Sequence, residues 1–158
     1  MAFGWLTVQS AEAGALTYAL NESGWIDGTV VAAGQLRQGK APSMAAMVSG
    51  AALWEVLRPR RTKLLPRHFV MALTADRAIA FKAVGGTPDG GSAGDYTIRI
   101  KAGEEASFPR ADVSISDLPE GPASKGGIMS IGGQSFPVGR PNMTGDPNTD
   151  ELIALLAA

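Results

Sequence analysis

The sequence predicts a mainly-β α+β protein: a bent antiparallel sheet, or partly open barrel, with a C-terminal capping helix and extra N-terminal helices. Three observations predict the sheet and its cap. Phe69 to Ala83 reads as two strands of alternating side chains joined by the tight polar connection Ala75-Asp76-Arg77. Short alternating segments, separated by Gly-, Pro- and Asp-rich turns, then continue to Val138. The chain ends in Leu152, Ile153, Leu155 and Leu156, an apolar stripe at helical spacing. A sheet of short antiparallel strands leaves an open end, and one amphipathic helix can plug it.

The elements follow in order. Phe3 to Asn21 predicts a helix, with Trp5, Val8, Glu12, Leu16 and Ala19 on one side and Leu6, Ala13 and Leu20 blurring the stripe. Asn21-Glu22-Ser23-Gly24 supplies its stop, Gly24 being suited to a left-handed cap. After the Asp27-Gly28 turn, Thr29 to Ala33 predicts a first strand. Pro42 to Leu57 predicts a helix of about four turns, capped by Ser43 and ended before Pro59. It is apolar nearly all round, a pattern that demands burial in a core or against another chain.

Gly85 to Gly94 is a flexible loop without packing residues. Tyr96 to Lys101 alternates as a half-exposed strand, and Gly103-Glu104 turns the chain. Ala106–Phe108 and Val113–Ser116 are short strands with Pro109 at the corner. Ile128–Ile131 and Ser135–Val138 flank Gly132-Gly133, a hairpin signal. Asn148-Thr149-Asp150-Glu151 opens the last helix, with carboxylates in the first turn where the helix dipole favours them. The expected core is Phe69, Leu73, Ile79, Phe81, Ile98, Ile100, Phe108, Val113, Ile115, Leu152 and Leu156.

A chain of 158 residues fits one domain with a real core, and 45% hydrophobic residues is ordinary for a globular protein. There is no cysteine, which excludes disulfides and thiolate chemistry and fits a reducing cytoplasm. The start lacks the basic segment of a secretory signal, and no run of apolar residues reaches membrane-spanning length. The expected location is cytoplasmic, with peripheral attachment to a membrane left open.

The net charge of −1 hides an asymmetry. From Gly28 to Ala75 seven basic side chains stand against Glu55 alone, a local charge of +6. The first 27 residues carry −3, and three basic against eight acidic residues from Ala102 onward give −5. Such a bipolar chain offers a basic surface to anionic lipid, nucleic acid or an acidic partner, unless its own acidic half neutralises it.

Three segments resemble the bacterial pleckstrin-homology-like and GRAM-like domains. FVMALTADRAIAF is similar to that family's strand, Leu-Thr-x-x-Arg turn and apolar strand, here Leu73-Thr74, Arg77 and Ile79 to Phe81. ASFPRADVSISDL looks like its strand, polar corner and following strand. GIMSIGGQSFPVG followed by NTDELIALL looks like the last hairpin and closing helix. LLPRHFVMALTADRAIAF also looks like uncharacterised actinobacterial proteins of this kind. The resemblance covers roughly Thr62 to Leu156. It implies an N-terminal helical extension over 1–27 and a pleckstrin-homology-like domain over 28–158 with an inserted helix over 42–57.

Catalytic chemistry finds little support. His68 is the sole histidine and opens an apolar strand, so a hydrogen-bonded structural role suits it better than that of a base or ligand. No second His and no Cys complete a zinc site. Gly85-Gly86 and Gly90-Gly91 do not lead into a helix with Lys-Ser/Thr, and Ser49-Gly50 is not a nucleophile elbow. The expectation is a protein that is not an enzyme and holds no cofactor or metal.

The remaining signal is the cluster Arg58, Arg60, Arg61, Lys63 and Arg67. In pleckstrin-homology-like folds that bind phosphoinositides the loop between the first two strands often supplies basic residues, and the resemblance places this cluster there. Arginine suits bidentate phosphate contact, while the lack of interleaved aromatics argues against nucleic acid. The candidate anion or partner site is Arg58, Arg60, Arg61 and Lys63. The leading expectation is a non-enzymatic binding module for a protein, a peptide or an anionic lipid headgroup. The alternative is a self-assembling scaffold, a homo-oligomer using the helices over 3–20 and 42–57, with Met44, Met47, Leu53 and Trp54 at the contact.

Overall fold

Among the described residues, alternation and turn chemistry build one antiparallel sheet, against which two amphipathic helices pack. The computed structural model describes residues 4–9, 12–38, 62–85, 97–117, 126–139 and 147–157. In chain order these form β1 (Trp5–Gln9), α1 (Ala15–Ser23), β2 (Ala32–Gln38), β3 (His68–Leu73), β4 (Arg77–Gly85), β5 (Thr97–Lys101) and β6 (Ala106–Pro109). A 3-10 turn (Arg110–Asp112), β7 (Val113–Asp117), β8 (Gly126–Ile131), β9 (Gln134–Gly139) and α2 (Pro147–Ala157) complete them. The nine strands run in the order β1-β5-β4-β3-β2-β9-β8-β7, with β6 also on β4, and every pairing is antiparallel. The fold class is therefore mainly-β α+β, and the sheet does not close on itself among the described residues.

The β3–β4 hairpin shows how local chemistry fixes register. Thr74 N–H donates to Arg77 O at 2.9 Å, and Arg77 N–H donates to the Thr74 hydroxyl at 3.0 Å. Neither loop residue, Ala75 or Asp76, takes a positive φ. The Thr74 side chain, also 3.1 Å from Asp76 Oδ1, does the closing that a glycine turn does elsewhere. In the β8–β9 hairpin Gly132 and Gly133 do take positive φ, as a two-residue turn of the primed kind requires.

On its other side β4 is shared. β6 pairs with Arg77 to Ala80 and β5 with Ala83 to Gly85. From Ala80 to Ala83 β4 advances three residues while the opposing chain runs from Ala106 back to Ile100, so three extra residues bulge out around Gly103, at φ 102°. This bulge bends the edge and lets β5 carry β1 away from β6.

Both faces of the central strands are covered. On the inner face Leu36, Phe69, Met71, Leu73, Ala78 and Ala80 pack with Ile115, Met129, Phe136, Val138, Leu152 and Leu156. On the outer face Val70, Ala72, Ile79, Phe81 and Ala83 pack with Val8, Leu16, Leu20, Ile98 and Ile100. Helix α2 lies so close to β2 that a Cβ on Gly34 would stand 2.7 Å from Thr149 Cα.

The N-terminal segment departs from expectation. The helix over Phe3–Asn21 is replaced by β1 and the shorter α1. The residues Trp5 to Gln9 alternate, with Leu6 and Val8 inward and Trp5, Thr7 and Gln9 outward, and this two-residue period prevails over the broken helical stripe. Gly14 at φ 79° separates the two elements, and Gly24 at φ 70° ends α1 as anticipated. The strand expected over Thr29–Ala33 is instead Ala32–Gln38, because Asn21 clamps Val30 through its N–H (2.8 Å) and its C=O (3.0 Å).

Helix α2 starts at Pro147, a residue suited to the first turn, and Asn148 and Thr149 serve tertiary contacts. Asn148 Oδ1 accepts from Leu16 N–H at 3.2 Å and its amide donates to Glu12 O at 2.9 Å, capping α1 from the far end of the chain. Thr149 Oγ1 bonds both the N–H and the C=O of Gln35. Of the expected core residues, Phe108 is only partly buried and the rest are buried. The helix expected over 42–57 lies outside the described residues.

Candidate functional site

The inner face of β4 changes character along its length. Ala78 and Ala80 are fully buried, but Lys82, next on the same face, is exposed. Phe69 lies across from it on β3. Lys101 follows Ile100, the residue paired with Ala83, and lines the same opening as Lys82. Two lysines at one end of a sheet face raise the local positive potential.

The segment before β3 brings two more cations to this place. Buried Gln38 holds it like a peg: its amide is shared among the carbonyls of Thr62 (3.1 Å), Leu65 (2.7 Å) and Pro66 (3.1 Å), and its Oε1 accepts from Thr62 N–H at 2.9 Å. Gln38 N–H adds a bond to Arg67 O at 2.8 Å, and the Thr62 hydroxyl donates to Gln134 Oε1 at 3.0 Å. Leu65 enters the inner core while Lys63 and Arg67 stay exposed. A short loop with no regular structure is thereby fixed to the sheet end.

Together Lys63, Leu64, Leu65, Pro66, Arg67, Lys82, Lys101 and Glu105 line an open groove of about 540 Å³. Four cations face one carboxylate there. Glu105 belongs to the bulge and is placed by its N–H on Ala80 O at 2.9 Å. Leu64, 37% exposed, adds an apolar wall beside Lys63.

Of the residues singled out from sequence, Lys63 lies in this groove, accompanied by Arg67 from the same cluster. Arg58, Arg60 and Arg61, and the contact residues Met44, Met47, Leu53 and Trp54, lie outside the described residues. Sequence reasoning missed Lys82, Lys101 and Gln38. The first two stand 19 residues apart and are brought together only by the folded sheet; Lys82 interrupts an apolar strand with a cation, while Lys101 ends an alternating, half-exposed one. Gln38 falls beyond the strand that was expected to end at Ala33.

His68 opens β3 and is half-buried, outside the groove lining. Among the described residues no group of three or more His, Cys, Asp or Glu side chains is placed to hold a metal ion. No described helix is long and apolar enough to cross a membrane. Neither a protein-family model nor a curated protein matches this sequence, so the reading of the groove rests on its own geometry.

Proposed function

We propose that the chain is a non-enzymatic binding module of pleckstrin-homology-like type that takes an anionic segment of a protein partner in the basic groove. The observation that carries the reading is the gathering of Lys63, Arg67, Lys82 and Lys101 around one open groove. Four cations around one groove, against the single carboxylate of Glu105, favour an anionic ligand. Leu64, Leu65 and Pro66 line the same groove, which suits a peptide carrying an apolar side chain beside its carboxylates or phosphates.

The pleckstrin-homology-like type is supported by the strand arrangement. β2, β3, β4 and β6 form one meander, the Arg110–Asp112 turn makes a corner, and β7, β8 and β9 form a second meander that returns to β2. Helix α2 packs into the inner core, and the basic segment falls between the first two strands of that arrangement. The polar corner, the closing helix and the basic segment between the first two strands are features the resemblance implies.

The test compares two probes against the intact chain at low and at physiological salt: a labelled glutamate-rich peptide carrying leucines, and vesicles containing anionic phospholipid. The expected result is peptide binding that weakens steeply with salt, because exposed charges are screened within about 8 Å at physiological ionic strength. Vesicle binding with no peptide binding would move the ligand to a lipid headgroup. Indifference to both at low salt would remove the anion site.

A further inference from the structure

Strand β1 ends the sheet, and its outer edge is unpaired among the described residues. Which of its backbone groups face outward follows from register. Ala102 N–H donates to Gly4 O at 3.0 Å, so Gly4 and Ala102 are a hydrogen-bonding pair. In an antiparallel ladder such pairs alternate, so Leu6 and Val8 bond to Ile100 and Ile98. The N–H and C=O groups of Trp5, Thr7 and Gln9 therefore point away from β5, to the open edge.

Open edges in stable monomers are commonly blunted by charge, proline or a bulge. Trp-Leu-Thr-Val-Gln has no charged residue and no proline, and pairs with β5 without interruption. Trp5 is 42% exposed, and the Arg99 guanidinium lies 4.9 Å from its ring centroid, on the face of the sheet rather than its edge. The opposite end of the path differs: β7 contacts α2 and ends in Asp117.

The geometry points to a second copy of this chain as the occupant of the β1 edge, paired antiparallel about a two-fold axis through Thr7. That axis sets Thr7 against Thr7 of the second copy and Trp5 against Gln9. All three outward residues of each strand then exchange both backbone hydrogen bonds. Leu6 and Val8 face Val8 and Leu6 on the side that covers α1, so apolar meets apolar. Arg99 and its symmetry mate are separated by about 14 Å, three strand spacings, beyond the screening length in salt. The axis runs perpendicular to the sheet and keeps Lys101 of both copies on the same face.

The test uses sedimentation of the full chain over a concentration series, with two variants and one cross-link. Thr7→Pro deletes an outward N–H that β5 does not use, and Thr7→Glu sets two like charges against each other at the axis while facing Arg99 of its own chain favourably. Wild type is expected to gain dimer with concentration, and both variants to weaken dimerisation at least tenfold, with thermal unfolding unchanged at concentrations where wild type is monomeric. Because the chain has no cysteine, Thr7→Cys is expected to form an intermolecular disulfide under mild oxidation, at the ~5.5 Å Cα spacing of a hydrogen-bonded pair. Ala111→Cys, exposed on the 3-10 turn, should not. A wild type that stays monomeric to about millimolar concentration, or a dimer that survives in both variants, overturns the proposal.

Discussion

The two faces of strand β4 make the most useful comparison in this molecule. The outer face carries Ile79, Phe81 and Ala83, all buried to the far end by α1, β1 and β5. The inner face carries Ala78 and Ala80 under the core, then Lys82 and Val84 in the open. One strand thus keeps its cover on one side and loses it on the other. Where the inner cover stops, the side chains turn basic and the groove begins. The site is an unfinished end of the core, framed by a loop pegged through Gln38.

If both faces are true core, the largest losses should be equal on the two sides. Phe81→Ala on the outer face and Phe136→Ala on the inner should each cost about 3–5 kcal/mol by chemical denaturation. An outer-face loss near zero would make the N-terminal layer a loose attachment. The closing helix comes next. Leu152→Ala should cost about 2–5 kcal/mol, since its side chain is fully buried between α2 and the inner face.

A smaller effect probes how closely α2 lies on the sheet. Gly34→Ala would place a Cβ 2.7 Å from Thr149 Cα, and the forced shift should cost about 1–3 kcal/mol. A neutral result would mean that α2 floats. The smallest effect belongs to the groove. Lys82→Gln should stay within about 0.5 kcal/mol of neutral, on the stabilising side, because Lys82 is exposed and its removal thins the positive charge around the groove. A clear loss of stability would give Lys82 a structural role and weaken its assignment to a site.

The inner face was legible in the sequence. Alternation in Phe69–Leu73, the glycine pair at 132–133 and the Leu152–Leu156 stripe name their own elements. The outer layer was not, for a physical reason. Strand β1 is five residues long, and its partner β5 lies about ninety residues away, so pairing information is absent locally. The groove was half legible: Lys63 and Arg67 cluster in sequence, whereas Lys82 and Lys101 come together only in the folded sheet. Asn148 and Thr149 looked like helix caps and proved to be the bolts that fasten α2 to α1 and β2.

The claim that the uncovered inner end of β4 is an anion site is tested most directly by one titration. A labelled glutamate-rich peptide carrying leucines is titrated with wild type and with the double variant Lys82→Glu, Lys101→Glu, at low salt, by fluorescence anisotropy. The account predicts at least a tenfold loss of affinity in a variant that remains folded, about 1.4 kcal/mol or more in binding free energy. Equal affinity for the two proteins would contradict it.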